Sequence, residues 1–288
     1  MTTTTSTYLA ISQNLSRYQT MTADQPAVKT ASEYYAANIG KVTSIKDFVG
    51  NYRLLSYALD AYGLGAEVNA TALVTQVLEG GVSNPKSLAN TLSNPNWAKF
   101  AAAFNFVADG AASVSTASAV KTTTTDYVEQ KLETDEGEQD PGVQLALYFQ
   151  RVAPTVSGGL GVMGDENLLD VVQTIFGLPP ETAGSNIDAE ASEISKLMPT
   201  SELQNPKELQ QLTERFTAEY DLDYGPGGVD ASTPLTVSSD GNSSKPVSAA
   251  TTILSGLIGA NSSYGGDAAA SYFSSALLAS LQSFNLGG

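Results

Sequence analysis

The sequence predicts an all-α protein: a multi-helix body of short antiparallel helices, a linker rich in Gly, Ser and Pro, and a helical C-terminal segment. Three observations lead to this prediction. Apolar residues recur at helical spacing along most of the chain, helix start and stop signals separate these stretches, and strand-like alternation is confined to residues 233–237. The predicted boundaries are 1–222 for the body, 223–248 for the linker or long loop, and 249–288 for the C-terminal segment.

Three helices are predicted before Gly63. The first has one apolar face with residues at i, i+3, i+7 and i+10, namely Tyr8, Ile11, Leu15 and Tyr18. The second begins near Pro26 and ends at Gly40, because Gly tolerates the positive φ of a helix end. The third begins at Ser44, which forms a capping-box pattern with Asp47, and stops at Gly63.

Later helix starts use a shared device in which a capping Asn or Asp precedes a Pro. Pro is favoured at the first helical position, because its missing N–H would have had no partner there. Four sites have this pattern: Asn84-Pro85, Asn94-Pro95, Asp140-Pro141 and Asn205-Pro206. Three further helices are predicted over Glu166–Phe176, Ile187–Met198 and Pro206–Tyr220, the first of them stopped by Gly177.

The composition changes at residues 223–248, where Gly, Ser and Pro make up half of the 26 residues. Such a segment buries too little apolar surface to offset the entropy of ordering it, which predicts a linker. Beyond it, an apolar stripe is expected either to pack on the body or to bind a partner. Its partner-binding candidates are Tyr272, Phe273, Leu277, Leu281 and Phe284.

The composition also excludes several functions. The chain has no His and no Cys, which excludes Ser-His-Asp and Cys-His catalysis, Cys- or His-ligated zinc, haem on His, and iron–sulfur clusters. With 14 basic and 30 acidic residues, the net charge of −16 predicts repulsion of nucleic acids and anionic membranes. We expect no cofactor and no metal.

No apolar run is long enough to span a bilayer, and residues 1–15 lack the basic and apolar regions of a Sec-type signal peptide. We therefore expect no membrane insertion. The predicted location is the cytoplasm or a destination reached by a bacterial export route that needs no cleaved signal peptide.

Residues 159–164 read GLGVMG, which fits the dinucleotide-binding pattern GxGxxG. That function needs a preceding strand and a helix N-terminus free to bind phosphate, whereas here the preceding residues are helical and Asp165-Glu166 follows. The segment is interpreted as a loop between helices.

Residues 126–140 contain seven acids and one Lys. One interpretation is a solvated acidic helix end, and a second is a docking surface for a basic protein. A third is a catalytic carboxylate pair, since Glu129 and Glu133 are spaced i, i+4. The partner-binding candidates of this run are Glu133, Asp135, Glu136, Glu138 and Asp140.

Three runs resemble an alphaproteobacterial family of helical proteins of unknown function, whose genes are often found among flagellar genes. They are Tyr34-Tyr35 through Val42 with Asp47-Phe48-Val49, Asn51-Tyr52-Arg53-Leu54-Leu55 through Leu64, and Gly142-Val143-Gln144-Leu145 through Arg151. The resemblance covers residues 1 to about 222 and implies a helical fold. Since the family has no established activity, it implies no catalytic residues.

Three functional hypotheses follow. The first is a non-enzymatic structural or accessory protein of the flagellum with protein partners. The absence of Cys, the lack of a cleaved signal and the Thr- and Ser-rich start of the chain are all typical of proteins exported through the flagellar route. The alternatives are a carboxylate-dependent glycan hydrolase and an acidic adaptor or chaperone-like binding module.

Overall fold

The computed structural model describes residues 2–178 and 187–225, and every regular element in these ranges is a helix. The all-α prediction is therefore confirmed. The α-helices are α1 Thr4–Ser12, α2 Leu15–Ala23, α3 Pro26–Asn38, α4 Ile45–Gly50, α5 Tyr52–Ala61, α6 Thr71–Gly80, α7 Leu88–Thr91, α8 Asn96–Ala103, α9 Phe106–Asp109, α10 Ala117–Gly137, α11 Pro141–Val152, α12 Gly158–Met163, α13 Glu166–Phe176, α14 Ile187–Leu197, α15 Thr200–Leu203 and α16 Pro206–Tyr224. Short 3-10 helices lie at Ile39–Lys41, Gly65–Asn69, Ser113–Ser115 and Ala153–Thr155.

The predicted first helix is two helices, α1 and α2, with a break at Gln13 and Asn14. The backbone N–H of Asn14 donates to the Ile11 carbonyl at 2.9 Å, and its side-chain amide donates to the Ala10 carbonyl at 3.1 Å. In a continuous helix the Ala10 carbonyl would accept from the Asn14 N–H instead. The side chain of Asn14 thus stabilises the break.

The predicted third helix is also divided, into α4 and α5. Asn51 accepts a hydrogen bond from the Leu54 N–H and so starts a second helix. The predicted cap at Ser44 is confirmed, because its hydroxyl accepts from the Asp47 N–H at 3.1 Å. Gly63, the predicted stop, lies just beyond α5 and has a positive φ of 69°. The positive φ predicted at Gly40 is wrong, because α3 ends at Asn38 and Gly40 continues it as part of the 3-10 helix Ile39–Lys41. At both breaks an Asn side chain bonds to the backbone, and such breaks divide the body into short helices.

The Pro-based starts are confirmed at α11 and α16, where Asp140 and Asn205 cap the helix and Pro occupies its first turn. At Asn84-Pro85 the prediction is wrong. The Asn84 side chain accepts from the Lys86 N–H within a turn, and α7 begins only at Leu88. An Asn side chain can close a tight turn as well as cap a helix, so the dipeptide alone does not decide between them.

Two hydrophobic cores form, and α10 contributes to both. Tyr127 and Val128 belong to the first core, which is built from residues between 28 and 128. Leu132, one turn later, belongs to the second core, which is built from residues 132–220 together with Tyr8 and Ile11 of α1. The single helix α10 therefore links the two cores.

The predicted linker begins within a described helix, since α16 continues through Tyr224. The remaining linker residues, 226–248, and the C-terminal segment 249–288 lie outside the described residues. The predictions made for them stay predictions.

Candidate functional site

Helix α11 brings the chemistry-bearing side chains together. Its N-cap, Asp140, accepts from the Gly142 N–H at 2.9 Å, and Pro141 occupies the first turn. The helix is buried on nearly all sides, with buried residues Val143, Leu145, Ala146, Leu147, Tyr148, Phe149 and Val152. A charged residue in such a helix needs a partner. Tyr148 and Arg151, one turn apart, each have one.

Arg151 makes a bidentate ion pair with Glu133 of α10. Its Nε donates to Glu133 Oε1 at 2.6 Å and its Nη2 donates to Glu133 Oε2 at 2.8 Å. The same Nη2 donates to Gln130 Oε1 at 3.1 Å. The Glu133 side chain is 4% exposed and the Arg151 side chain 28%, so water reaches the guanidinium but hardly the carboxylate. The pair fixes α11 against α10.

Burial opposes the positive charge of Arg151, but Glu133, with smaller contributions from Tyr148 and Glu129, outweighs burial and the pKa of Arg151 is raised. The guanidinium carbon also lies 5.3 Å from the centroid of the Tyr148 ring. Arg151 is therefore a permanent cation held between a carboxylate and an aromatic face.

Tyr148 connects this pair to α13. Its hydroxyl donates to Asp165 Oδ2 at 2.5 Å, and Asp165 Oδ1 accepts from the Leu168 N–H at 3.1 Å as the N-cap of α13. Burial, and next the nearby Asp165 charge, raise the pKa of Tyr148. The phenol thus stays protonated and serves as a hydrogen-bond donor.

We call these residues and one neighbouring lysine the Arg151 cluster: Lys99, Gln130, Glu133, Tyr148, Arg151 and Asp165. Burial lowers the pKa of Lys99, while the charge of Asp165 opposes that change. The hydrogen bonds of the cluster join α10, which contributes to the first core, with α11 and α13 of the second. Its groups are arranged to hold helices together across the two cores.

The hydrolase hypothesis rested on Glu129 and Glu133. Glu133 is engaged at both oxygens by Arg151, and Glu129 Oε1 accepts from Gln19 Nε2 of α2 at 2.9 Å. A retaining or inverting pair needs one carboxylate to act as nucleophile or base and the other as acid. Both carboxylates instead bind side chains of neighbouring helices.

The predicted acidic docking residues divide into two groups. Glu133 is buried against Arg151, and Asp140 is buried while accepting from Thr4 Oγ1 at 2.9 Å. Asp135 and Glu136 are half-buried and Glu138 is exposed. Glu133 and Asp140 therefore serve the fold, and only residues 135–138 face outward. The candidates Tyr272, Phe273, Leu277, Leu281 and Phe284 lie outside the described residues.

The GxGxxG segment forms the short helix α12, where a loop was predicted. A Cβ added to Gly159 would lie 2.0 Å from the carbonyl oxygen of Ala191 in α14. The Gly159 N–H donates to Ser195 Oγ at 2.7 Å, also in α14. This close approach between helices accounts for a glycine at position 159.

Among the described residues, no group of three or more Asp or Glu is arranged to hold a metal ion. In the same part of the chain, no helix has both the length and the apolar character needed to cross a membrane.

Sequence reasoning did not single out the Arg151 cluster. Its hydrogen-bonded pairs are 17 to 21 residues apart in the chain, which is beyond any local motif. One signal was available: residues 142–149, which end two positions before Arg151, have polar groups only in the side chains of Gln144 and Tyr148. A cation at the end of such an apolar helix indicates a buried ion pair.

No curated protein matches the chain. The structure is similar to the X-ray crystal structure of protein AGR_C_984 from Agrobacterium tumefaciens, with 36% sequence identity and a TM-score of 0.70. The match covers 75% of this chain and 92% of that one. A family model described as "Protein of unknown function (DUF1217)" matches residues 61–209, which include the whole Arg151 cluster. The match spans more than half of the chain, so this protein belongs to the DUF1217 family of unknown function.

Proposed function

We propose that this protein is a non-enzymatic structural or accessory component that works by contact with other proteins at the bacterial flagellum. The observation that carries the proposal is how the buried acids are used. Glu133 pairs with Arg151, and Asp140 and Asp165 cap helices while binding Thr4 and Tyr148. Each of these groups stabilises the helical body, which is the use expected in a scaffold.

The flagellar part of the proposal is supported by the sequence. Three runs resemble a family whose genes often lie among flagellar genes. The chain also has no Cys, and its first seven residues are Met1 followed only by Thr and Ser. These features are typical of proteins exported through the flagellar route.

The acidic adaptor hypothesis has one supporting observation of its own. Glu138 is exposed at the end of α10, with Asp135 and Glu136 half-buried beside it. A basic protein is the partner that this charge favours. Replacing Asp135, Glu136 and Glu138 by Asn and Gln would weaken binding of a basic partner and leave folding intact, since none of the three is fully buried.

Fractionation of cells with and without a working flagellar export gate tests the flagellar proposal. We expect to recover the protein in the culture supernatant or in purified hook–basal bodies of the strain with a working gate. We expect no such recovery when the gate is defective. Strict retention in the cytoplasm in both strains would sink the export proposal and favour the adaptor.

A further inference from the structure

Helix α1 packs into a groove between α11 and α16, which we call its seat. Tyr8 and Ile11 are its large buried side chains, and they enter the second core with 0% and 1% exposure. Asp221 of α16 accepts from the N–H groups of Thr4 and Thr5 at 2.8 and 3.1 Å. The side chain of a distant helix therefore binds the start of α1, across 217 residues of sequence.

The seat is shaped for this one helix. A Cβ added to Gly142 of α11 would lie 2.7 Å from Thr4 Cγ2 and 2.5 Å from the Tyr220 ring. The glycine thus leaves room for α1 between α11 and α16. Asp140, beside it, accepts from Thr4 Oγ1 at 2.9 Å.

The connection from α1 to α2 interrupts an apolar stripe that would otherwise suit one continuous helix. The apolar residues of α1 and α2 follow a single helical stripe through Tyr8, Ile11, Leu15 and Tyr18. The structure breaks this stripe at Asn14, whose side chain takes the Ala10 carbonyl that a continuous helix would give to its N–H. A hydrogen bond from the Asn14 side chain therefore replaces the backbone hydrogen bond that a straight helix would form at the Ala10 carbonyl.

Straightening at Asn14 would lift α1 out of its own seat. Helix α2 is held on α10, because Gln19 Nε2 donates to Glu129 Oε1 at 2.9 Å. With α2 fixed, a continuous helix over residues 4–23 is about 30 Å long and points α1 in another direction. Its Tyr8 and Ile11 then leave the second core, and the seat is open.

We propose that α1 is exchanged between copies of this chain, each copy placing its α1 in the seat of the other through a straight α1–α2 helix. The occupant is a second copy because the seat already fits α1, including the Gly142 gap and the Asp221 cap. Helix α1 has no charged residue, so it adds no negative charge to the Asp140 and Asp221 carboxylates when it enters the seat of another chain. Exchange of an identical element is a low-cost route to a dimer.

Substitutions at Asn14 test the exchange by sedimentation or light scattering of the full chain. Both Asn14→Ala and Asn14→Gly remove the hydrogen bond to Ala10, but only Ala favours the straight helix. The Ala-over-Gly helix preference predicts a roughly fivefold effect per copy, so the dimer dissociation constant of Asn14→Ala is about 25-fold lower than that of Asn14→Gly. Equal dissociation constants for the two variants would contradict the proposal.

A cysteine pair separates exchange from an ordinary dimer, since the chain has no other Cys. In the Asn14→Ala background, copies with Thr5→Cys are mixed with copies with Asp221→Cys and oxidised. Exchange yields a covalent dimer between the two kinds of copy. If the mixture does not cross-link, while a single chain carrying both cysteines closes internally, α1 stays in its own seat and the proposal fails.

Discussion

The Arg151–Glu133 pair illustrates how one ion pair can hold two helices together. Glu133 is 4% exposed and its carboxylate is satisfied by the guanidinium, so removing either partner leaves a charge without compensation. Arg151 is 28% exposed, which gives it partial access to water. Removal of the Glu133 carboxylate is therefore expected to destabilise the protein by an amount near the low end of the range for buried ion pairs.

We predict that Glu133→Gln lowers the free energy of unfolding by about 3 kcal/mol, within a range of roughly 3–5 kcal/mol for breaking a buried pair. The double variant Glu133→Leu with Arg151→Met removes both charges and keeps the volume. It is expected to be more stable than Glu133→Leu alone or Arg151→Met alone. Urea denaturation of the wild type, these two single variants and the double variant checks this, and a double variant less stable than both single variants would contradict the pairing argument.

The pH dependence of stability is expected to come in part from Asp126 and Glu129. Burial is the main cause that raises the pKa of each, so the folded protein holds their protons more tightly than the unfolded chain does. These two carboxyl groups contribute fully to stability at a pH below their pKa in the unfolded chain, about 4. The contribution is lost as the pH rises through their raised pKa in the folded protein. Asp126→Asn and Glu129→Gln should therefore increase stability at neutral pH and reduce its fall with rising pH.

Denaturation midpoints at about pH 5 and about pH 7 measure this difference. Asp47 is a control of opposite sign, because a hydrogen bond from the Thr43 hydroxyl lowers the pKa of this exposed carboxyl. The contribution of Asp47 to stability is present above the pKa of this carboxyl in the unfolded chain and is lost as the pH falls. Asp47→Asn should therefore be less stable than the wild type at neutral pH. If all three variants change stability in the same direction, burial is not the cause.

At the scale of single helices, the sequence predicts those elements whose signals are local. Helix α13 begins and ends at the predicted Glu166 and Phe176, because Asp165 caps its start and Gly177 takes the left-handed conformation at its end. The breaks at Asn14 and Asn51 were not predicted. An Asn side chain that bonds to the backbone can interrupt an apolar stripe without changing its spacing.

The close contact between α12 and α14 supports a prediction at this scale. Gly159→Ala would place a Cβ 2.0 Å from the Ala191 carbonyl, which forces the two helices apart. We expect the free energy of unfolding to fall by about 1–3 kcal/mol, as it does when a core is overpacked. Gly50→Ala is the matched control, because nothing lies within 4 Å of the new Cβ and α4 gains up to about 1 kcal/mol from the lost chain entropy. Thermal denaturation of both variants checks the contrast, and equal effects would show that the close approach is unimportant.

At the scale of the molecule, the candidate site could not be found from sequence, because it depends on how the two cores meet. Glu133 lies within a run that was interpreted as solvated or docking surface, and only the packing of α11 turns it inward. The second core even draws Tyr8 and Ile11 from the other end of the described chain. Local patterns predict the helices, whereas long-range packing decides which charges are buried.

The sharing of α10 by both cores predicts that they unfold together. Trp97, the single Trp, is buried in the first core, and Phe216 is fully buried in the second. Phe216→Leu should destabilise the protein by about 1 kcal/mol. Since α10 and the Arg151 cluster connect the cores, Trp97 fluorescence and far-UV circular dichroism should both report the same lowered denaturation midpoint. If the fluorescence transition stays at its original midpoint while part of the helical signal melts earlier, the two cores are independent folding units and α10 does not couple them.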